Sequence, residues 1–162
     1  MPEYKTAQTP ADLLSVSDAA RVSGLDWLQR MLDGQIAGPP ISGLLGFRLV
    51  EIAAGRAVFR GTAAFSAANP MGTTHGGWYG AILDSAMACA VQSMVPAGRG
   101  STTLEYKINI MRPLMAGVEA ECIGLASHVG RTTGVATAEL RGVEDGKLYA
   151  TGSTTCQVFE LR

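Results

Sequence analysis

Four residues in one short stretch carry side chains or backbone groups that could do chemistry: His75, Gly76, Gly77 and Asp84. They lie in NPMGTTHGGWYGAILDSAMACAVQSMV, residues 69–95, where Asp84 is the only carboxylate in a largely apolar run. If a helix begins at the glycines, the backbone N–H groups of Gly76 and Gly77 have no acceptor within that helix. Such donors, together with the helix dipole, suit an oxyanion.

The spacing of Gly76 and Asp84 points to a site shared between two chains. Asp84 follows Gly76 by eight residues, so it returns near the same helix face about two turns later. Two turns span roughly 11 Å, too far for one carbonyl group to contact both residues of one chain. Two structural explanations remain open: Asp84 could be a buried carboxylate bonded to backbone or to Ser85, and His75 could be an N-terminal helix cap.

The sequence carries no other strong signature of a reaction class. It has no G-x-x-x-x-G-K-[ST] phosphate loop, no G-x-S-x-G nucleophile elbow, and no G-x-G-x-x-G after a strand. His75 and His128 lack cysteine or carboxylate partners at metal-ligand spacing, so no metal site is expected. Cys89, Cys122 and Cys156 lie in apolar runs, where a buried thiol is the commoner role.

Composition predicts a globular domain and argues against several partners. The 162 residues are 47% hydrophobic and 17% charged, with a formal net charge of −1, which is enough for one real core. The basic residues are scattered, so no nucleic-acid partner is expected. Residues 69–95 are long enough to span a bilayer, but Asp84 favours a helix buried in a soluble protein. Three separated cysteines and an N-terminus without a signal peptide predict a cytoplasmic location.

Hydrophobic spacing predicts the elements that position these residues. Residues 1–40 form an N-terminal extension with a short amphipathic helix in LDWLQRMLDG, and residues 41–162 form the main domain. There, GFRLVEIAAGRAVFRGTA predicts a hairpin, residues 69–95 a long apolar helix, and TTLEYKINIM a strand. Three more strands are predicted in GVEAECIGLASHV, TTGVATAELRGV and KLYATGSTTCQVF. This order is typical of an α+β fold in which a curved antiparallel sheet encloses the helix.

The strand after the helix shows a strict alternation of apolar and polar residues. Leu104, Tyr106, Ile108 and Ile110 are expected on one face, and the residues between them, beginning with Thr103, on the other. The pattern predicts a half-buried strand.

The chain also resembles a known family, the hotdog-fold acyl-CoA thioesterases of the phenylacetate-degradation (PaaI-like) type. Asn69-Pro70, Gly72, His75-Gly76-Gly77 and Asp84 match its N-P-x-G-x-x-H-G-G-x(6)-D arrangement. YKINIMRPL, VGRTTGVATAEL and DGKLYATGSTT resemble later strands of the family, so the resemblance covers residues 41–159. It implies a hotdog fold, with a long central helix wrapped by a curved six-stranded antiparallel sheet, and a homodimer or homotetramer built by joining sheets edge to edge.

The resemblance also implies roles for the matching residues. Asp84 takes the place of the family's catalytic carboxylate, as nucleophile or as general base. The Gly76 N–H takes the place of the oxyanion donor. Asn69 and His75 match polar residues that orient water or the thioester, with Asn69 contributed by the partner subunit.

Further positions follow from the same resemblance. Thr103 stands where some relatives have a serine on the strand after the helix, although Thr102 or Ser101 could fill that place. Coenzyme A is then part of the substrate, and no cofactor is expected. The residues expected to bind substrate are Gly77, Trp78, Arg112, Gly130 and Arg131.

The predicted function is therefore hydrolysis of an acyl-CoA thioester. A thiolate is a good leaving group, so a carboxylate and an oxyanion donor can suffice. Two other functions stay open: a non-catalytic acyl-CoA-binding regulator, and a hotdog-fold hydratase or dehydratase. Trp78, Tyr79, Met87 and Tyr106 could line an acyl pocket or belong to the core.

Overall fold

The structure, a computed structural model, describes residues 4–161. Residues 1–3 of the predicted extension and residue 162 of the predicted main domain lie outside the described residues. The helices are α1 (Val16–Ala19), α2 (Gly24–Leu32), α3 (Pro40–Leu45) and α4 (Gly76–Gln92), with short 3-10 helices at Pro10–Asp12 and Phe65–Ala67. The strands are β1 (Phe47–Ala53), β2 (Arg56–Thr62), β3 (Arg99–Ile110), β4 (Glu119–Val129), β5 (Thr133–Gly142) and β6 (Leu148–Glu160).

The strands form one antiparallel sheet that wraps α4. Their order is β1-β2-β4-β5-β6-β3, and α4 packs against all six strands. Because α4 is apolar on nearly every side, its large apolar side chains, including Ile82, Leu83 and Met87, are fully buried in the core. The predicted α+β hotdog fold is confirmed. No helix in the described part of the chain is long and apolar enough to cross a membrane.

The sheet approaches α4 very closely at Gly124 of β4. A Cβ atom at that position would lie 2.2 Å from the backbone oxygen of Ala86. Only glycine allows this contact, because a side chain would force the helix and the sheet apart.

Strand β3 departs from the predicted alternation. Its register with β6 shifts between Thr103 and Glu105, so Leu104 is the extra residue of a β-bulge. Thr103 and Tyr106, which an unbroken strand would place on opposite faces, therefore both contact α4. The predicted strict alternation is wrong at Leu104, because the bulge resets the faces of the strand.

The N-terminal segment packs on the main sheet and on the end of α4. The predicted amphipathic helix is present as α2, and it contacts β1 and α4. Leu28 and Met31 of α2 are buried in the common core. The Gly24 N–H donates to the backbone oxygen of Val95 at 2.9 Å, and a Cβ at Gly24 would lie 1.8 Å from the backbone oxygen of Gln92. The boundary of the extension at residue 40 stays a prediction.

Candidate active site

His75 caps the N-terminus of α4. Its backbone is extended, with φ −65° and ψ 142°, and its Nδ1 accepts a hydrogen bond from the Gly77 N–H at 2.9 Å. The first-turn donor of Gly77 is therefore satisfied within the chain. None of the hydrogen bonds found among residues 4–161 uses the Gly76 N–H. The predicted pair of free donors is thus reduced to one, at Gly76, because the cap occupies the other.

Asn69 builds the turn that leads into this cap. Its Oδ1 accepts from the N–H groups of Met71 at 2.9 Å and Thr73 at 3.2 Å, and its Nδ2 donates to Thr73 Oγ1 at 2.8 Å. An amide nitrogen has two hydrogens, so Nδ2 keeps one donor for another partner. The structure shows Asn69 as a positioning residue of the turn, and its role toward water or a thioester stays a prediction.

One pocket brings together several of the predicted residues. It has a volume of about 270 Å³ and is lined by Asn69, Gly76, Tyr79 and Arg112, among others. The Tyr79 hydroxyl fixes its wall: it accepts from the Leu114 N–H at 2.6 Å and donates to the Arg112 backbone oxygen at 3.2 Å. From the sequence, Tyr79 could either belong to the core or line an acyl pocket. The tertiary structure shows that it is a buried anchor for the chain beside Arg112.

Asp84 lies two turns further along α4 and faces β3. Thr103 Oγ1 donates to Asp84 Oδ1 at 2.8 Å. Ser101, one of the alternatives to Thr103, is instead bonded to Gln92 through its N–H and its hydroxyl. The Ser85 hydroxyl donates to a backbone oxygen one turn earlier, so Ser85 is not the partner of Asp84. Among the three candidate hydroxyls on β3, Thr103 is the one that contacts the carboxylate.

The environment of Asp84 favours its protonated form more than water does. Burial raises the pKa of the Asp84 carboxyl above its ordinary value, and the hydrogen bond from Thr103 opposes that rise. A partly desolvated carboxylate with one hydrogen-bond donor is a stronger base or nucleophile than a fully solvated one.

Within one chain the structure keeps Asp84 apart from Gly76. The eight intervening steps along α4 correspond to about 12 Å, and Asp84 does not line the pocket that contains Gly76. One carbonyl group cannot contact both within one chain.

Trp78 does not belong to a ligand site. Its side chain is 2% exposed, and its Nε1 donates to the Leu45 backbone oxygen at 2.7 Å. Its ring makes edge-to-face contacts with Phe47 and Tyr79. The predicted role in substrate binding is wrong, because the indole is enclosed in the core with its polar atom satisfied.

The other predicted substrate-binding residues fall at two ends of β3. Arg112 follows the end of β3, and its guanidinium donates to the Leu148 backbone oxygen at 2.7 Å. Gly130 and Arg131 form the β4–β5 turn, where the Arg131 backbone oxygen accepts from Arg99 at the start of β3. A strand of this length spans roughly 35 Å, so one chain does not bring these residues together.

No group of three or more His, Cys, Asp and Glu residues that could hold a metal ion occurs in the described ranges. The expected absence of a metal stays a prediction.

Comparison with known proteins identifies the family to which a chain with this geometry is similar. A sequence profile of the thioesterase superfamily matches residues 71–149, a range that includes Gly76 and Asp84. No curated protein sequence matches the chain significantly. A phenylacetic acid degradation-related protein from Ralstonia eutropha is 31% identical, with a TM-score of 0.73, over 81% of this chain and 98% of that chain.

Two further solved structures are similar. A variant of the phenylacetic acid degradation protein PaaI from Thermus thermophilus is 30% identical, with a TM-score of 0.66, over 73% of this chain and 97% of that chain. A hypothetical thioesterase protein from Streptococcus pneumoniae, solved with coenzyme A, is 24% identical, with a TM-score of 0.65, over 72% of this chain and 88% of that chain. This last likeness supports the fold alone.

Proposed function

The chain belongs to the thioesterase superfamily, as its resemblance to the PaaI-like proteins predicted, and from this premise we propose that it hydrolyses acyl-CoA thioesters. The observation that carries the proposal is the partly buried carboxylate of Asp84 on α4, which accepts a hydrogen bond from Thr103 on β3. The first N–H of the same helix, at Gly76, has no hydrogen-bond partner among the described residues. A carboxylate and an oxyanion donor are the two groups that thioester hydrolysis needs.

The proposed reaction releases a free acid and coenzyme A. As general base, Asp84 takes a proton from water, whose oxygen attacks the thioester carbonyl carbon. As nucleophile, Asp84 itself attacks, and water then opens the resulting anhydride. In either case the Gly76 N–H donates to the tetrahedral oxyanion, the C–S bond breaks, and the leaving thiolate takes up a proton.

The edge of β3 supports a homodimer in which each site uses both subunits. Within the described sheet β3 pairs only with β6, and its apolar side chains Leu104, Tyr106 and Ile110 are 59%, 45% and 46% exposed. Unpaired backbone and apolar side chains on one edge favour pairing with a second copy. A homotetramer would combine two such dimers.

Symmetric pairing would also close the gap within the site. Two antiparallel β3 strands that meet near Tyr106 place Thr103 opposite the partner's Ile110. Gly76 lies against Ile110 in its own chain, where a Cβ would be 3.7 Å from Ile110 Cδ1. The same pairing therefore brings the partner's Gly76 toward Asp84, the arrangement that one chain alone lacks.

Coenzyme A is the proposed leaving group because the same dimer gathers cationic residues. Antiparallel β3 strands bring Arg112 of one subunit toward Arg131 of the other, with Gly130 and the exposed Gly77 nearby. Arginine pairs well with phosphate, and coenzyme A carries several phosphate groups. The expected cytoplasmic location fits this substrate and stays a prediction.

The proposal is tested by following both products with a panel of acetyl-, hexanoyl-, decanoyl- and phenylacetyl-CoA. We expect free thiol and the matching acid to appear in equal amounts. Water addition to an enoyl-CoA with the thioester intact would instead show a hydratase. Saturable binding of the esters without any turnover would show a regulator.

Thr103→Val should move the acidic limb of the pH profile to higher pH. The Thr103 hydrogen bond lowers the pKa of Asp84, so removing it raises that pKa further, and a higher pH is needed to ionise the carboxyl. The pH dependence of kcat/KM measures this shift. Thr103→Ser should restore the profile, and Thr102→Val, at the exposed neighbour, should not change it. An unmoved limb in Thr103→Val would mean that Asp84 does not control the rate.

A further inference from the structure

A second cavity lies over the C-terminal half of α4, in the slot that the sheet leaves open between its edge strands. The sheet begins at β1 and ends at β3, and α2 of the N-terminal segment packs against β1 and α4. The cavity fills the remaining space between α2 and β3 and has a volume of about 460 Å³.

The walls of this cavity are apolar and uncharged. The N-terminal segment contributes about half of the lining, including Leu13, Leu14, Trp27 and Ala37. The polar groups in the opposite wall are satisfied or neutral. Gln92 Oε1 accepts both the N–H and the hydroxyl of Ser101, at 2.9 and 2.7 Å. Burial raises the pKa of the Cys89 thiol to about 12, so it stays uncharged.

The cavity begins one helical turn beyond Asp84. Ala88, which lines it, follows Asp84 by four residues, about 6 Å along the same side of α4. On β3, Ser101 lines the cavity and precedes Thr103 by two residues, so both face α4. Residues that line the cavity therefore lie on the same side of α4 as Asp84 and on the same face of β3 as Thr103.

From this continuity we infer that the cavity binds the acyl chain of the substrate, and that the N-terminal segment selects a chain of roughly eight to twelve carbons. The inference rests on the proposed thioesterase function. A thioester carbonyl at Asp84 can direct its acyl chain along α4 into the cavity. An apolar cavity of about 150 Å³ holds one benzene molecule, so the larger volume admits a medium-length chain. Short or charged acyl groups gain nothing from these walls.

The first test compares chain lengths in a cavity-filling variant. In the wild type we expect kcat/KM to rise by up to about fourfold per added methylene until the cavity is full. Ala37→Phe fills the cavity from the N-terminal side and should lower the ratio of kcat/KM for decanoyl-CoA over propionyl-CoA by at least about tenfold. Ala11→Phe is the matched control, because Ala11 is exposed in the same segment and does not line the cavity.

The outcomes separate this inference from the proposed function. If acyl-CoA is hydrolysed but the ratio is unchanged in Ala37→Phe, the cavity is not the acyl site, and the thioesterase proposal stands. A ratio that falls equally in Ala11→Phe also overturns the inference, because the effect would then not come from the cavity. Melting curves show whether each variant is folded.

A binding measurement tests the cavity without turnover. The chain has two tryptophans; Trp27 lines the cavity and Trp78 is enclosed in the core. Titration with decanoate should give a saturable change in fluorescence that Trp27→Phe abolishes and Ala37→Phe weakens. No change in the wild type overturns the inference. Decanoate binding in a protein that hydrolyses no acyl-CoA would retain the cavity as a fatty-acyl site and reject the proposed function.

Discussion

Asp84→Asn should lower kcat for acyl-CoA hydrolysis by a factor of about a thousand or more, while the protein stays folded. Asparagine has the same shape and can still accept the hydrogen bond from Thr103, but it can neither attack a thioester nor take a proton from water. Release of coenzyme A in single-turnover experiments measures the loss. Asp145→Asn, a change of the same type in the exposed turn before β6, should leave the rate unchanged.

The same substitution should not destabilise the protein near neutral pH. Burial raises the folded-state pKa of Asp84 above its unfolded value, so the folded state binds more protons between the two values. Stability therefore falls as the pH rises through that window, and above it the ionised carboxylate costs stability. Asparagine removes this cost, so we expect a Tm equal to or above that of the wild type. A Tm lower by several degrees would mean that the carboxylate is structural.

Gly76→Pro should lower kcat by about a hundredfold to a thousandfold, which is the typical loss of one oxyanion donor. Gly76 is the first residue of α4, and the preceding His75 has an extended backbone. Proline is favoured at that helix position and removes the N–H without breaking a helical bond. Gly76→Ala is the matched control: it keeps the N–H, and its Cβ would meet only Ile110 Cδ1 at 3.7 Å. Equal losses in the two variants would show that shape, and not the donor, matters.

Mixing the two inactive variants tests whether the site lies between subunits. In a symmetric dimer of one Asp84→Asn chain and one Gly76→Pro chain, one site carries both changes and the other carries neither. Refolding an equal mixture should therefore restore about a quarter of wild-type activity. If each site used Gly76 and Asp84 of the same chain, every site would be defective and no activity would return.

Much of the fold and the identity of the central residues could be predicted from the sequence. A helix that is apolar on all sides must be buried, and the alternating patterns in the sequence predicted the strands of the sheet that encloses it. The spacing of Gly76 and Asp84 also fixed their separation, because helix geometry is regular. The cap at His75 was among the alternatives for the same reason: the first turn of a helix exposes predictable donors.

Other features depended on contacts between segments distant in the chain. The bulge at Leu104 lets Thr103 face Asp84. The regular alternation of apolar and polar residues in this strand does not predict that bulge. Packing between elements, and not local pattern, placed Trp78 in the core and the Tyr79 hydroxyl beside Arg112.

The sequence by itself determined which groups could do chemistry and the helix that spaces them, because local periodicity and helix geometry act over a few residues. Only the tertiary structure decided which hydroxyl contacts Asp84 and where the apolar cavity opens. Each of these depends on how α4, β3 and α2 pack together. The lone carboxylate of residues 69–95 is thereby held by a strand hydroxyl, one helical turn before the apolar cavity begins.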